Sequence, residues 1–296
     1  MKSIHKYLGI IYIIISAFCF AFMNMFVRLA GDLPPTQKCF FRNFIALIFA
    51  IVILCKDKIP FKLENKSNWF PLFIRAFIGT LGILCNFYAI DHLVLADASI
   101  LNKMSPFFVI IFSFLFLREK LTFFQGAAVV TAFIGTLFII KPSFNMEFIP
   151  ALLGLIGGMC AGAAYTAVRY LGNHGEKGPF IVAFFSAFSC ISMIPFLIFD
   201  YHPMSLKQLI FLIGAGFSAA GGQFSITAAY TKSPASEISV YDYSQIIFAT
   251  VLGFIVFGDV PDVYSFIGYF IIVAAAVLVF FYNNFWRYGK SETKTE

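Results

Sequence analysis

Apolar runs of roughly 18 to 22 residues follow one another along this chain with only short polar interruptions. A helix of that length, rising about 1.5 Å per residue, crosses the roughly 30 Å hydrocarbon layer of a bilayer. The chain is 60% hydrophobic and 12% charged over 296 residues, whereas soluble domains carry about a quarter charged residues. One globular core cannot hide that much apolar surface, so the expected class is a polytopic membrane protein.

Ten spans are expected, at about 8–29, 38–55, 69–90, 96–117, 122–140, 149–170, 179–199, 207–230, 236–257 and 262–282. The connections, such as "CKDKIPFKLENKSNW", are too short to fold alone. The first span follows Lys2 and Lys6 as a signal peptide would, but it is long for one and lacks a small-residue cleavage site, so it is expected to be retained. With an inside N-terminus, 14 Lys and Arg fall on inside segments, four on outside segments and three within spans. Cationic loops stay on the cytoplasmic face, so both termini are expected in the cytoplasm of a plasma-membrane protein. The net charge of +6 then reflects topology and gives no support to a nucleic-acid partner.

Sliding the second half over the first gives a gapless register at an offset of 140 from about residue 73 to 142. It pairs Ala89 with Ala229, Asp97 with Glu237, Ser99 with Ser239 and Glu119 with Asp259. Near the start of each half an offset of 141 pairs Cys19 with Cys160 and Val27-Arg28 with Val168-Arg169. Five spans per half is an odd number, so the halves must cross the membrane in opposite senses. Such inverted repeats typify secondary transporters, whose substrate site lies near the midplane. The expected fold is an all-α integral membrane protein of ten transmembrane helices in two inverted five-helix repeats, 8–142 and 149–282, with a cytoplasmic tail at 283–296.

The segment "ADASILNKMSPFFVIIFSFLFLREKLTFFQGAAVVTAFIGTLFII" that closes the first half resembles EamA-type members of the drug/metabolite transporter superfamily. Pro106, Glu119, Gly126 and Gly135 carry the resemblance, while the second half has Asp259 after Gly258 in place of the glutamate and Ile246 in place of the proline. It implies translocation of a small metabolite without ATP hydrolysis or a cofactor, and it leaves the cargo unnamed.

Polar residues inside apolar spans are the candidate site, because intramembrane charge is costly and usually faces a cavity or a partner. Lys103 is either a snorkelling amine or a cavity residue, and the repeat pairs Asn102 with Asp242 and Lys103 with Tyr243. Helical depth places Lys103 and Asp242 about 10 Å apart along the membrane normal, which argues against a direct salt bridge. Asn24 and Asn86 lie near the depth of Lys103, and Tyr165 and Gln223 near that of Asp242, so spans one, three, four, six, eight and nine are expected to line a cavity. The substrate-binding candidates are therefore Lys103, Asn102, Asn24, Asn86, Tyr165, Gln223 and Tyr243, with ordinary interhelical hydrogen bonding as the alternative for each amide or phenol. Asp242 and Glu237 are the proton-coupling candidates, because desolvation disfavours a charged carboxylate. Asp97 and Glu237 also begin helices, where a carboxylate complements the helix dipole. Arg42 and Arg75 lie one or two turns from a surface, and their stems are expected to reach the headgroups; the alternative is an Arg75 that faces the cavity, which would make the site more cationic. Gly154, Gly158 and Gly162 suit close helix packing, and Pro106 a kink beside Lys103.

No GxxxxGK[ST], HExxH or GxSxG occurs, no Cys/His cluster suggests a metal, and the histidines fall in or beside loops. The leading expectation is a secondary transporter, not an enzyme, for a zwitterionic or anionic metabolite such as an amino acid. Its partners would be the cargo, the lipid bilayer and a proton or another coupling ion, in a monomer or homodimer. The alternatives are an exporter of lipophilic cations anchored by Asp242 and Glu237, and a membrane-embedded enzyme.

Overall fold

The computed structural model describes residues 2–117, 123–140, 148–232 and 239–282, and among these residues every regular element is a helix. They are α1 (Lys2–Leu29), α2 (Pro35–Lys56), α3 (Trp69–His92), α4 (Leu95–Asn102), α5 (Ser105–Leu117), α6 (Phe123–Ile140), α7 (Phe148–Asn173), α8 (Gly178–Phe199), α9 (Leu206–Lys232), α10 (Ser244–Phe257) and α11 (Val263–Phe281). Short 3-10 turns at Lys66–Asn68 and Ser239–Tyr243 precede α3 and α10.

Seven helical stretches are long and apolar enough to cross a membrane, α4 and α5 together forming one of them, and three shorter apolar helices accompany them at Gly126–Ile139, Tyr241–Phe257 and Val263–Leu278. The outside of the bundle carries bare aromatic side chains: Phe116, Phe199 and Phe270 are 73, 88 and 76% exposed. Water would make such a surface aggregate, whereas lipid solvates it. Helices suit that solvent because they satisfy their backbone polar groups internally.

Polar side chains point the other way. Asn24, Arg42, Arg75, Asn86, Lys103, Gln223, Asp242 and Gln245 are all buried. The principal packing pairs are α1 with α9, α3 with α7, α2 with α8, and α6 with α11; α5 also packs on α7, and α1 on α10. The tight α3–α7 and α4–α7 contacts depend on glycine. A β-carbon at Gly158 would come within 2.5 Å of the Leu101 carbonyl oxygen, and one at Gly162 within 2.8 Å of that of Ser105. These glycines let α7 lie against the backbone of the α4–α5 junction, the packing role expected from their four-residue spacing.

Candidate functional site

The α4–α5 junction is a break in the fourth span. The amide of Lys103 still bonds the Ser99 carbonyl at 3.0 Å, but Met104 turns back to Leu101, and the next turn starts from the Met104 carbonyl. Pro106 explains the break, since it has no N–H to continue the ladder and its ring crowds the preceding turn. Across the bundle Asp242 sits in the 3-10 turn that leads into α10. Two interrupted helices therefore face each other deep in the protein, as discontinuous helices do around transporter sites.

Lys103 Nζ donates to Asp242 Oδ2 at 2.7 Å, with the two side chains 2% and 0% exposed. This overturns the expectation that the two charges stand about 10 Å apart, and with it the snorkelling amine. Counting depth along ideal helices assumes unbroken helices and ignores the reach of a lysine stem. The break and the 3-10 turn swing the two side chains toward each other, and burial makes pairing the alternative to two unsolvated charges. Asp242 Oδ1 has no hydrogen-bond partner.

Beside this pair lies a cavity of about 70 Å³. It is lined from α1 by Phe20, Met23 and Asn24, from α3 by Arg75, Gly79, Gly82, Ile83, Asn86 and Phe87, and from α7 by Ala161, Ala164 and Tyr165. Asn102 of α4 and Gln223 of α9 complete the residues expected from the sequence; Gln245 of α10 was not among them, and Arg42 of α2 and Phe185 of α8 add two spans that were not expected there. The α3 residues recur at helical spacing on one stripe, so the cavity follows that helix from Arg75 to Asn86. Tyr165 stacks on Tyr230, centroid to centroid 5.2 Å. Tyr243 does not line the cavity: it packs on Phe107 at 6.3 Å in the neighbouring apolar core. Glu237 lies outside the described residues.

The two arginines correct the sequence reading most sharply. Both are 2% exposed, turned inward against Phe185 and not out toward the surface of the bundle. The Arg75 guanidinium carbon lies 4.0 Å from the centroid of the Phe185 ring and that of Arg42 lies 5.7 Å from it, so one phenyl ring serves both cations. Arg42 Nη1 donates to Asn43 Oδ1 at 2.5 Å, and the amide of Asn43 is held in turn by Ser189 Oγ at 2.9 Å and the Cys39 carbonyl at 3.0 Å. The Nε atoms of both arginines lack partners, and among the described residues neither guanidinium has a carboxylate partner. A cation–π contact offsets only part of the cost of burying such a charge. With Lys103 and Asp242 compensating each other, the cavity carries a positive excess.

Both ends of the site are tied by carboxylates. Gly258 ends α10 with φ of 69°, a left-handed conformation that glycine adopts without strain. The turn delivers Asp259 to Arg28, which it holds in a two-pronged pair whose second contact measures 3.2 Å, and Asp259 also accepts from the Leu95 amide at 3.2 Å. One side chain thus joins α1, α4 and α10. Nearby, Lys38 is fully buried and bonds both oxygens of Asp91 at 2.6 and 2.7 Å, joining α2 to α3. Asp97, at the start of α4, accepts from Tyr269 Oη of α11 at 2.6 Å. At the other end Glu176 accepts from Asn68 Nδ2 at 2.8 Å and from the amides of Glu64 and Asn65, fastening the α2–α3 connection to the α7–α8 turn.

Comparison with known proteins agrees with this architecture. A solved crystal structure superimposes with a TM-score of 0.66 at 16% identity, covering 93% of this chain and 96% of that one, which establishes a shared fold. The chain is 31% identical over 272 residues to a pseudopaline exporter of Pseudomonas aeruginosa, covering 91% of this chain and 94% of that protein. It is 27% identical to a riboflavin transporter of Vibrio cholerae, covering 93% of each, and 26% identical to human solute carrier family 35 member G1, covering 91% of this chain and 78% of that protein. The model of the EamA-like transporter family matches residues 7–141 and again 148–281. The chain is an integral, multi-pass membrane protein and belongs to the EamA-like transporter family.

Proposed function

We propose that the protein is a secondary active transporter that moves a small organic anion by alternating access between two inverted five-helix halves, 8–142 and 149–282. The observation that carries the reading is the pair of buried guanidinium groups, Arg42 and Arg75, with no carboxylate partner among the described residues beside a central cavity. A cation entering that cavity would meet two like charges, whereas a carboxylate would receive charge-assisted hydrogen bonds from planar forks that match its geometry. The similarity to named transporters supports translocation over enzymatic turnover, and the similarity to a named exporter supports an outward direction.

The pattern of packing supports the two-fold relation of the halves. In a ten-span reading α1 and α7 are equivalent, as are α3 and α9, so α1 on α9 and α3 on α7 are one interface seen twice. The contacts of α5 on α7 and α1 on α10 repeat a second interface, and α2 with α8 and α6 with α11 join equivalents across the axis. A cavity of about 70 Å³ is far below the few hundred Å³ of a metabolite pocket. Cargo therefore requires the halves to part, as alternating access demands. Coupling acts through Asp242: a proton on this carboxylate removes the attraction that joins the helix break of the first half to the 3-10 turn of the second. The chain resides in the plasma membrane with both termini in the cytoplasm.

Thermal stability of the purified protein in detergent tests the reading, since a ligand stabilises the state that binds it. Citrate, glutamate and succinate are expected to raise the melting temperature in a concentration-dependent way, and Arg75→Gln to abolish the effect. A shift produced only by lipophilic cations such as tetraphenylphosphonium would overturn it.

A further inference from the structure

The chain leaves α2 through an unusual residue. The amide of Lys58 bonds the Cys55 carbonyl at 3.3 Å and that of Ile59 bonds the Leu54 carbonyl at 2.9 Å, the paired contacts that end a helix through one left-handed residue. Glycine is the usual occupant of that position, because a β-carbon there crowds the following carbonyl. Here it is Lys58, with φ of 52°, and among the described residues it is the only non-glycine at positive φ. A costly backbone conformation persists where something outweighs it, so the lysine side chain needs a reason. Lys56, in the last turn of α2, already complements the helix dipole. Among the described residues no carboxylate pairs with Lys58.

Lys58 lines an open groove of about 620 Å³ on the outside of the bundle, between α2 and α8. Leu47, Ile51 and Leu54 form its α2 wall, about 10 Å of helix from first to last. Small Ala187 lines it from α8, and Phe61, set edge-on to Phe180 at 5.3 Å, borders it on the α2–α3 connection. No other charged side chain lines this apolar trough, so a single ammonium marks the level at which the helix ends. That polarity matches a phospholipid, with a chain along the trough and a phosphate at the ammonium. Residues 56–66 carry Lys56, Lys58, Lys62 and Lys66 against Asp57 and Glu64, an excess of positive charge. A headgroup with net negative charge suits it better than a zwitterion, which brings its own cation.

We infer that this groove is a binding site for an anionic glycerophospholipid: an acyl chain lies along Leu47, Ile51 and Leu54 between α2 and α8, and the phosphate accepts from the Lys58 ammonium. In the orientation proposed above, this end of α2 meets the cytoplasmic leaflet, and basic clusters beside a membrane-spanning helix attract its anionic lipids. The site is separate from the central cavity, yet the same two helices carry Arg42 and Phe185 to that cavity. A lipid seated here bears on the pair of helices that shapes it.

The full-length protein, stripped of lipid in detergent and supplied with phosphatidylglycerol or phosphatidylcholine of identical acyl chains, tests the site by two readouts. One is lipid retention in native mass spectrometry; the other is the maleimide reactivity of Cys55, an exposed native thiol that lines the groove. Phosphatidylglycerol is expected to be retained at least fivefold over phosphatidylcholine and to slow modification of Cys55, mapped by peptide mass, at least fivefold. Lys58→Gly removes the ammonium and relieves the left-handed strain, so the lipid-free variant is expected to melt no lower than the parent while losing both effects. Lys58→Gln, which keeps a side chain without the charge, is expected to lose them equally, and Lys58→Arg to retain them. Equal retention of the two lipids, or a preference that survives both Lys58→Gly and Lys58→Gln, would overturn the site. Unchanged Cys55 reactivity with phosphatidylglycerol would place the lipid elsewhere and overturn it too. Protection of Cys55 to the same degree by soluble glycerol phosphate would reduce the site to a simple anion contact and contradict the lipid.

Discussion

Lys103 and Asp242 lie 139 residues apart in the chain and meet at 2.7 Å in the interior of the bundle, one at a helix break and the other in a 3-10 turn. Among the described residues each is the other's only charged partner within hydrogen-bond distance, so losing either one strands the other. Lys103→Met or Asp242→Asn alone disrupts a buried pair, at a cost of about 3–5 kcal/mol when a charge is stranded. The double variant removes both charges and is expected to recover much of the lost stability. Thermal unfolding of the four proteins in one detergent checks this; a double variant as unstable as the sum of the singles would remove the pair from the account.

Transport assays separate structure from coupling at the same pair. Asp242→Asn is expected to abolish accumulation driven by a pH gradient while leaving substrate exchange measurable, because a neutral amide cannot carry the proton but need not destroy the cavity. Lys103→Met is expected to weaken both modes. Full gradient-driven accumulation by Asp242→Asn would make the residue purely structural.

Asp259 predicts a conformational effect. It ties α1, α4 and α10 at one end of the site through Arg28 and the Leu95 amide. Asp259→Asn loses the ionic part of that tie and keeps the amide contact. Maleimide labelling of a cysteine placed at Asn24, in a background lacking the native cysteines, is expected to rise several-fold from the side on which Arg28 lies. No change in labelling rate would show that this end is held closed by other contacts.

Topology is open to a direct check. With an odd number of spans per half, a cysteine at Asn65 should be protected from an impermeant reagent in intact cells, and one at Asp262 should be labelled. Labelling at Asn65 would reverse the orientation and the assignment of the two ends.

Most of what places the site was legible in the chain. An asparagine, lysine or aspartate in an apolar run is costly enough to need a reason, and the 140-residue register brought Asn102 and Asp242 to equivalent places. Asn24, Asn86, Asn102, Tyr165 and Gln223 do share one cavity. Two things were not legible. Arg42 and Arg75 lie near span ends by residue count, and a count along a helix says nothing about which way a long side chain turns; a cavity-facing Arg75 stood only as the alternative, with no charged counterpart at Ala215 to favour it. Gln245 lay three residues beyond Asp242 and was overlooked, although an uncharged amide in an apolar span carries the same signal as Asn24. The Lys103–Asp242 contact depends on two helix interruptions, of which only Pro106 is visible in the sequence.

The arginine pair also sets an expected scale for function. Replacing either guanidinium by an amide removes charge-assisted hydrogen bonds worth about 1.5–3 kcal/mol, so Arg42→Gln and Arg75→Gln should each raise the KM for an anionic cargo about ten- to a hundredfold. Arg75→Lys is expected to recover only part of the loss, because an ammonium cannot reproduce the planar fork over Phe185. Indifference of KM to all three would remove the arginines from the site.

The most direct test of the central claim is counterflow in proteoliposomes, with radiolabelled glutamate outside and unlabelled glutamate inside. Saturable accumulation of label, inhibited by other small carboxylates and lost in Arg42→Gln/Arg75→Gln, is the expected result. Counterflow of the anion that persists unchanged in the double variant, or counterflow seen only with organic cations, would contradict it.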